Sequence, residues 1–154
     1  MGMTTYLYGV IQEYGLNTGR LMEVYDHNEK VISELPLVAP WPPLTSNMFA
    51  ITKNPHLEGG RVHQYWGRMI HFATCTKSIE YEWSEWKEKF EALLLNLYWL
   101  EAQVHFVTEY TDTISFQWRV DLKKWNLNED PIVPMKKTDW DFTDVNGWEE
   151  MGIG

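Results

Sequence analysis

Two periods of hydrophobic and polar residues run through this chain. Trp83, Trp86, Phe90, Leu93, Leu94, Leu97 and Leu100 recur mostly at steps of three and four, which places them on one face of an α-helix. Glu82, Glu85, Lys87, Glu88, Lys89 and Glu91 cover most of the remaining surface. The spacing predicts one long amphipathic helix over residues 79–101, with Ser78 as its N-cap. Glu80 and Glu82 then lie near the positive end of the helix dipole. So wide an apolar stripe needs a sheet to cover, so its Trp and Leu side chains read as core.

Much of the rest carries strand-forming runs punctuated by turns. Tyr6–Tyr14 is rich in strand formers and is followed by a turn cluster, Gly15–Gly19. Arg20–Tyr25 reads as a second strand paired with the first, Asp26–Glu29 as a turn, and Lys30–Glu34 as a short third strand. Pro36, Pro40, Pro42 and Pro43 interrupt regular structure, because proline cannot donate to a ladder. The Leu35–Asn47 stretch that holds them is mostly apolar, Trp41 included, and is expected to lie against the domain surface. Met48–Thr52 reads as a short strand, Asn54–Gly60 as a loop and Arg61–Thr74 as one long strand. In that strand Val62, Trp66, Ile70 and Phe72 share one parity, while His63, Tyr65, Met69, His71 and Cys75 share the other. Either both faces are covered or a bulge at Gly67 exchanges them.

Gln103–Tyr110 and Thr113–Val120 form a hairpin whose register follows from its pattern. A three-residue loop pairs Tyr110 with Ile114, Thr108 with Phe116 and Phe106 with Trp118, giving one apolar face turned to the helix. The opposite face then sets His105 against Arg119, Val107 against Gln117 and Glu109 against Ser115. Leu122–Lys137 reads as extended and irregular. The fold class is α+β: a mostly antiparallel sheet of six to seven strands carrying one long helix. Residues 1–137 form a single domain, and residues 138–154 an acidic, aromatic C-terminal segment.

Charge changes the picture most in that segment. Asp139, Asp141, Asp144, Glu149 and Glu150 stand there without any Lys or Arg, supplying −5 of the formal −9. Trp140, Phe142 and Trp148 are interleaved with the acids. Such a stretch is expected to dock, either on its own domain as a strap or on a partner's basic surface through these aromatic and acidic side chains. Intramolecular docking is slightly preferred, because exposed aromatics invite aggregation.

A pI near 4.9 argues against nucleic acid and against an anionic membrane surface, and favours a basic protein partner. Cys75 is the only cysteine, which excludes an intramolecular disulfide and fits a reducing compartment. The first residues show no secretory signal and no apolar run reaches membrane-spanning length, so a soluble, cytoplasmic protein is expected.

The best polar constellation is His105, Glu109, Gln117 and Arg119 on one sheet face. There His105 is a candidate general base and Arg119 an anion stabiliser, although an open antiparallel face is ordinarily polar. No cofactor is expected. No metal is expected either: His63 and His71 lie about 26 Å apart along an extended strand, leaving only His71 with His105 across neighbouring strands. The favoured reading is a small acidic binding or inhibitory protein, for instance an immunity protein that neutralises a basic toxin. The alternative is an enzyme or small-ligand binder with an aromatic pocket lined by His71, His105, Glu109 and Arg119.

Overall fold

The structure, a computed structural model, describes residues 4–15, 18–51, 68–109 and 112–148. Six strands form one antiparallel sheet: β1 (Thr4–Glu13), β2 (Phe49–Ile51), β3 (Met69–Lys77), β4 (Trp99–Thr108), β5 (Ile114–Val120) and β6 (Trp140–Asp144). Their order across the sheet is β2-β3-β1-β4-β5-β6. Helix α1 (Leu21–Ser33) follows β1 and helix α2 (Trp83–Leu94) follows β3. The first four strands and both helices therefore make a split β-α-β-β-α-β unit, which β5 and β6 extend at one edge. Both helices contribute to the same buried cluster as Leu7, Ile11, Ile70 and Phe106, so they cover one face and leave the other open.

Strand β1 lies inside the sheet, between β3 and β4, and its alternation is strict. Thr5, Leu7, Gly9, Ile11 and Glu13 point to the helices, while Tyr6, Tyr8, Val10 and Gln12 point away. Gly9 is required by packing: a Cβ there would lie 2.0 Å from the Gln103 carbonyl oxygen and 2.5 Å from Phe72 Cζ. The Phe72 ring thus lies against bare backbone at the centre of the sheet.

Segment 20–34, read from sequence as two strands and a turn, is helical instead. Val24, Tyr25, Asn28 and Ile32 are its buried residues, and that spacing is one helical face. The long helix is shorter than its periodicity predicts. A 3-10 turn, Ile79–Glu82, leads into α2, which ends at Leu94. Asn96 and Leu97 donate backbone bonds to the Leu93 and Leu94 carbonyls, and the Trp99 indole donates to the Leu94 carbonyl at 2.9 Å. These bonds satisfy the helix end and turn Leu97 and Trp99 into the core as β4 begins. Ser78 adopts a left-handed conformation, φ 54°, and its side chain does not cap the helix.

The hairpin faces agree with the sequence reading. Phe106, Phe116 and Trp118 are buried under α2, with the Phe116 ring stacked on Trp83 at 3.7 Å, while Arg119 is exposed on the other side. The register differs by four residues: Phe106 pairs with Ile114, Val104 with Phe116 and Ala102 with Trp118. Volume explains the slide. The observed register sets Ala102 and Val104 opposite the two bulky rings, where the predicted one crowds Phe106 against Trp118. Thr108 pairs with Thr5 on β1. The short strand at Met48–Thr52 is β2, whereas Asn54–Gly60, the Arg61–Gly67 part of the long strand and the bulge at Gly67 lie outside the described residues.

A buried ionic cluster ties these elements together. The fully buried Glu13 carboxylate accepts from Arg68 Nε, from Arg68 Nη2 at 2.9 Å and from Asn28 Nδ2 at 2.9 Å. Arg68 also binds Glu29 through Nη1 and the Tyr25 carbonyl through Nη2, and its guanidinium lies 4.0 Å over the Tyr25 ring. Burial opposes its charge, but the bonds and attraction of Glu13 and Glu29 prevail and raise its pKa.

Candidate functional site

The open face of the sheet holds the polar residues singled out by sequence, in a different arrangement. His105 opposes Ser115, and Arg119 opposes Glu101, so His105 and Arg119 are four residues out of step, about 13 Å along the strand. Glu109 lies beyond the end of β4, where its Oε1 accepts the Thr4 backbone N–H at 2.8 Å. It does not join the other polar groups. His71 and His105 are not on neighbouring strands, because β1 runs between β3 and β4, with Val10 beside His71 and Tyr8 beside His105. Two strand spacings separate them by about 10 Å, too far to share an ion.

What the face does assemble is a hydrogen-bonded row across β4 and β5. His105 Nδ1 lies 2.7 Å from Ser115 Oγ, and Nε2 lies 3.3 Å from Gln103 Oε1. Gln103 Nε2 donates to Glu101 Oε1 at 3.2 Å, and Gln117 Nε2 donates to the same oxygen. Arg119 Nη2 approaches Glu101 Oε2 at 3.6 Å. The Tyr8 ring packs against the imidazole with centroids 5.1 Å apart. Partial burial lowers the His105 pKa, which favours neutral imidazole. Tyr6 and Tyr8 are 55% and 43% exposed at the centre of this face.

The acidic C-terminal segment is packed onto its own domain through residue 148. Strand β6 pairs along β5, setting Phe142 opposite Trp118 and Trp140 opposite Val120. Trp140 is buried 5.7 Å from Trp99, and Trp148 is buried 6.2 Å from Tyr81. Phe142 packs 5.0 Å from Trp118 and receives Lys87 Nζ 3.9 Å over its ring. Asp141 faces outward, whereas Asp139 accepts the Lys136 N–H at 2.8 Å and Asp144 accepts the Trp148 N–H at 3.0 Å. Trp140 and Trp148 are therefore core anchors, and two of the carboxylates hold the segment's own turns. Glu149 and Glu150 lie outside the described residues.

On the helix side, the proline stretch presents a different surface. Leu37, Val38 and Trp41 are 71%, 88% and 50% exposed. The loop beneath them is fastened by its carbonyls: Ser46 N–H donates to Pro36, Lys89 Nζ to Pro40 and Pro42, and Trp86 Nε1 to Pro43, all at 2.7–2.9 Å. Beside it lies an open groove of about 480 Å³ floored by Val31, Leu35, Leu44 and Leu93. Two of its polar groups are engaged: His27 Nε2 contacts the Asn96 carbonyl at 2.7 Å, and Lys89 holds the loop. Sequence reasoning recognised the loop as apolar and surface-packed, and Leu44 and Thr45 are indeed buried. It missed which side chains project outward, since only fastened carbonyls on α2 decide that.

Among the described residues no helix is long and apolar enough to cross a membrane. No family model, curated protein or solved structure gives a significant match to this chain, so the functional reading rests on these surfaces alone.

Proposed function

We propose that the protein is an acidic binding module that docks a basic protein partner through the proline loop, with Leu37, Val38 and Trp41 as anchors. The observation that carries this reading is their exposure on a fastened loop. Large apolar side chains held in place before binding lose little conformational entropy on docking, which is the usual character of interface anchors. The surrounding charge is mostly acidic. Asp26, Glu29, Glu85 and Glu88 are exposed on α1 and α2 and Glu34 follows α1, against one exposed lysine there, Lys30, while Lys87 and Lys89 are engaged on Phe142 and on the loop carbonyls. An acidic rim around an apolar centre favours a basic partner and speeds its encounter. An inhibitor of the immunity-protein type, cytoplasmic and directed at a basic toxin, is one protein of this kind.

The test compares wild type with Trp41→Ser and Leu37→Ser in pull-downs from native extract, with unfolding followed in parallel. Because both side chains are exposed, stability should change by less than about 0.5 kcal/mol. Loss of a captured basic protein in both variants supports the reading. An unchanged partner set with unchanged stability removes the loop from consideration.

A further inference from the structure

We propose that Ser115 is an activated nucleophile that accepts the acyl group of small uncharged esters, with His105 as its general base and Gln103 as a positioning residue. The site lies on the open sheet face, apart from the proline loop on the helix side, and stands independently of partner binding there.

Three observations converge. The first is contact: Ser115 Oγ and His105 Nδ1 are 2.7 Å apart, within the range of a nucleophile and its base. The second is orientation. The Glu101 carboxylate can only accept, so it fixes the Gln103 amide with Nε2 toward itself and Oε1 toward the imidazole. An Oε1 acceptor requires the His105 proton on Nε2, which leaves Nδ1 to receive the Ser115 hydroxyl proton. That is a nucleophile, a base and a third group that sets the base's tautomer. The third is positioning of the strand. The Ser115 backbone N–H donates to Asn146 Oδ1 at 2.7 Å, and the Ser115 carbonyl accepts the Val145 N–H at 3.1 Å, so both backbone groups are held from the β6 side. Partial burial also keeps the imidazole neutral and able to take a proton.

The substrate class follows from the neighbours. Tyr8, Gln103 and Val107 surround the imidazole on the open face and carry no charge, while Glu101 and Arg119 answer each other further along the strands. In the first step Ser115 Oγ bonds to the ester carbonyl carbon and its proton passes to His105 Nδ1. The carbon–oxygen bond to the leaving group then breaks, and that oxygen departs with the proton as an alcohol. In the second step water gives a proton to Nδ1 and adds to the acyl carbon. The bond to Oγ breaks, a carboxylic acid leaves, and the proton returns to Ser115. The sum is ester plus water giving acid plus alcohol.

The experiment treats the full chain with a fluorophosphonate, which reacts by the same attack of Oγ with loss of fluoride, and maps the adduct by peptide mass spectrometry. One adduct per chain at Ser115 is expected, absent in Ser115→Ala. His105→Gln should slow it about a hundredfold, the lower end of general-base assistance. Gln103→Leu should slow it less and Gln103→Asn restore part of the rate, with circular dichroism verifying that each variant is folded. The proposal is overturned by no adduct, by an adduct on Tyr6 or Tyr8 instead, or by a folded His105→Gln variant that reacts as fast as wild type.

Discussion

Replacing Arg68 by Met tests whether the buried ionic cluster joins the elements as its geometry indicates. Glu13 has no exposed side-chain surface, and two of its three hydrogen bonds come from Arg68. The substitution strands a carboxylate in the interior with Asn28 Nδ2 as its remaining donor, and releases the Glu29 and Tyr25 carbonyl contacts as well. Breaking a buried pair from one side costs about 3–5 kcal/mol. Total stability for a domain of this size is about 5–15 kcal/mol, so the loss is a large fraction of the whole. With a urea m-value of about 2 kcal/mol/M, the unfolding midpoint should fall by about 1.5–2.5 M. Equilibrium unfolding followed by tryptophan fluorescence measures it. The Arg68→Met/Glu13→Leu double variant should recover most of the loss, because Asn28 Nδ2 keeps the Tyr98 carbonyl at 3.0 Å and no charge is left buried. As a contrast, Arg119→Met breaks an exposed 3.6 Å contact with Glu101 and should cost no more than about 1 kcal/mol. A fall below about 1 kcal/mol for Arg68→Met, or a double variant no better than the single, refutes the reasoning.

Truncation after Lys137 removes β6 with Trp140 and Trp148. At about 1.5 kcal/mol or more for each buried large side chain, the chain should lose at least about 3 kcal/mol and bind a dye that senses apolar surface. A truncated protein with the wild-type unfolding midpoint and no dye binding contradicts the core-anchor role of those residues. His105 gives a pH-dependence of known sign. Its folded pKa is lowered by burial, so its contribution is fully present above the unfolded value of about 6.5 and is lost as pH falls through the lower folded value. Urea midpoints measured on both sides of that window should show a shallower acid-side decline in His105→Gln than in wild type. A steeper decline in the variant reverses the assigned sign.

How much of this fold was legible in the chain depends on what each residue's neighbours are. Strand β1 and the apolar stripe of α2 as far as Leu94 are written locally, as periods of two and of about 3.6, while Leu97 and Leu100 continue the helical period past the end of the helix. Helix α1 escaped because its inward face includes Asn28, a polar residue amid Val24, Tyr25 and Ile32. Without knowing that Asn28 bonds Glu13 and both backbone groups of Tyr98, the pairs Val24-Tyr25 and Val31-Ile32 read as strand formers. Glu13 carries no local sign of burial, and only Arg68, 55 residues on, makes it core. In the β4–β5 hairpin, alternation determines which face each side chain takes but not a slide by an even number of residues. Small Ala102 opposite large Trp118 was the available clue to the slide.

The candidate sites differ in the same way. His105 and Arg119 were correctly placed on the open face, yet the partner that gives His105 its chemical interest, Ser115, depends on that four-residue slide. In the C-terminal segment composition left two readings open, a strap on its own domain, slightly preferred, and a partner-seeking arm. Alternation would have decided between them: Trp140 and Phe142 take the inward parity while Asp141 and Thr143 take the outward one, which is the pattern of a half-buried strand. Its acids then serve a second purpose. Asp141 and Asp144 stand along the last strand of the sheet, where charge discourages another chain from adding to its open edge. The segment is thus the sheet's last strand, as the preferred strap reading expects. The surface proposed for recognition is instead the proline loop, whose exposed side chains carry no periodic signal and stay outside the core because the carbonyls beneath them are fastened to α2 and to Ser46.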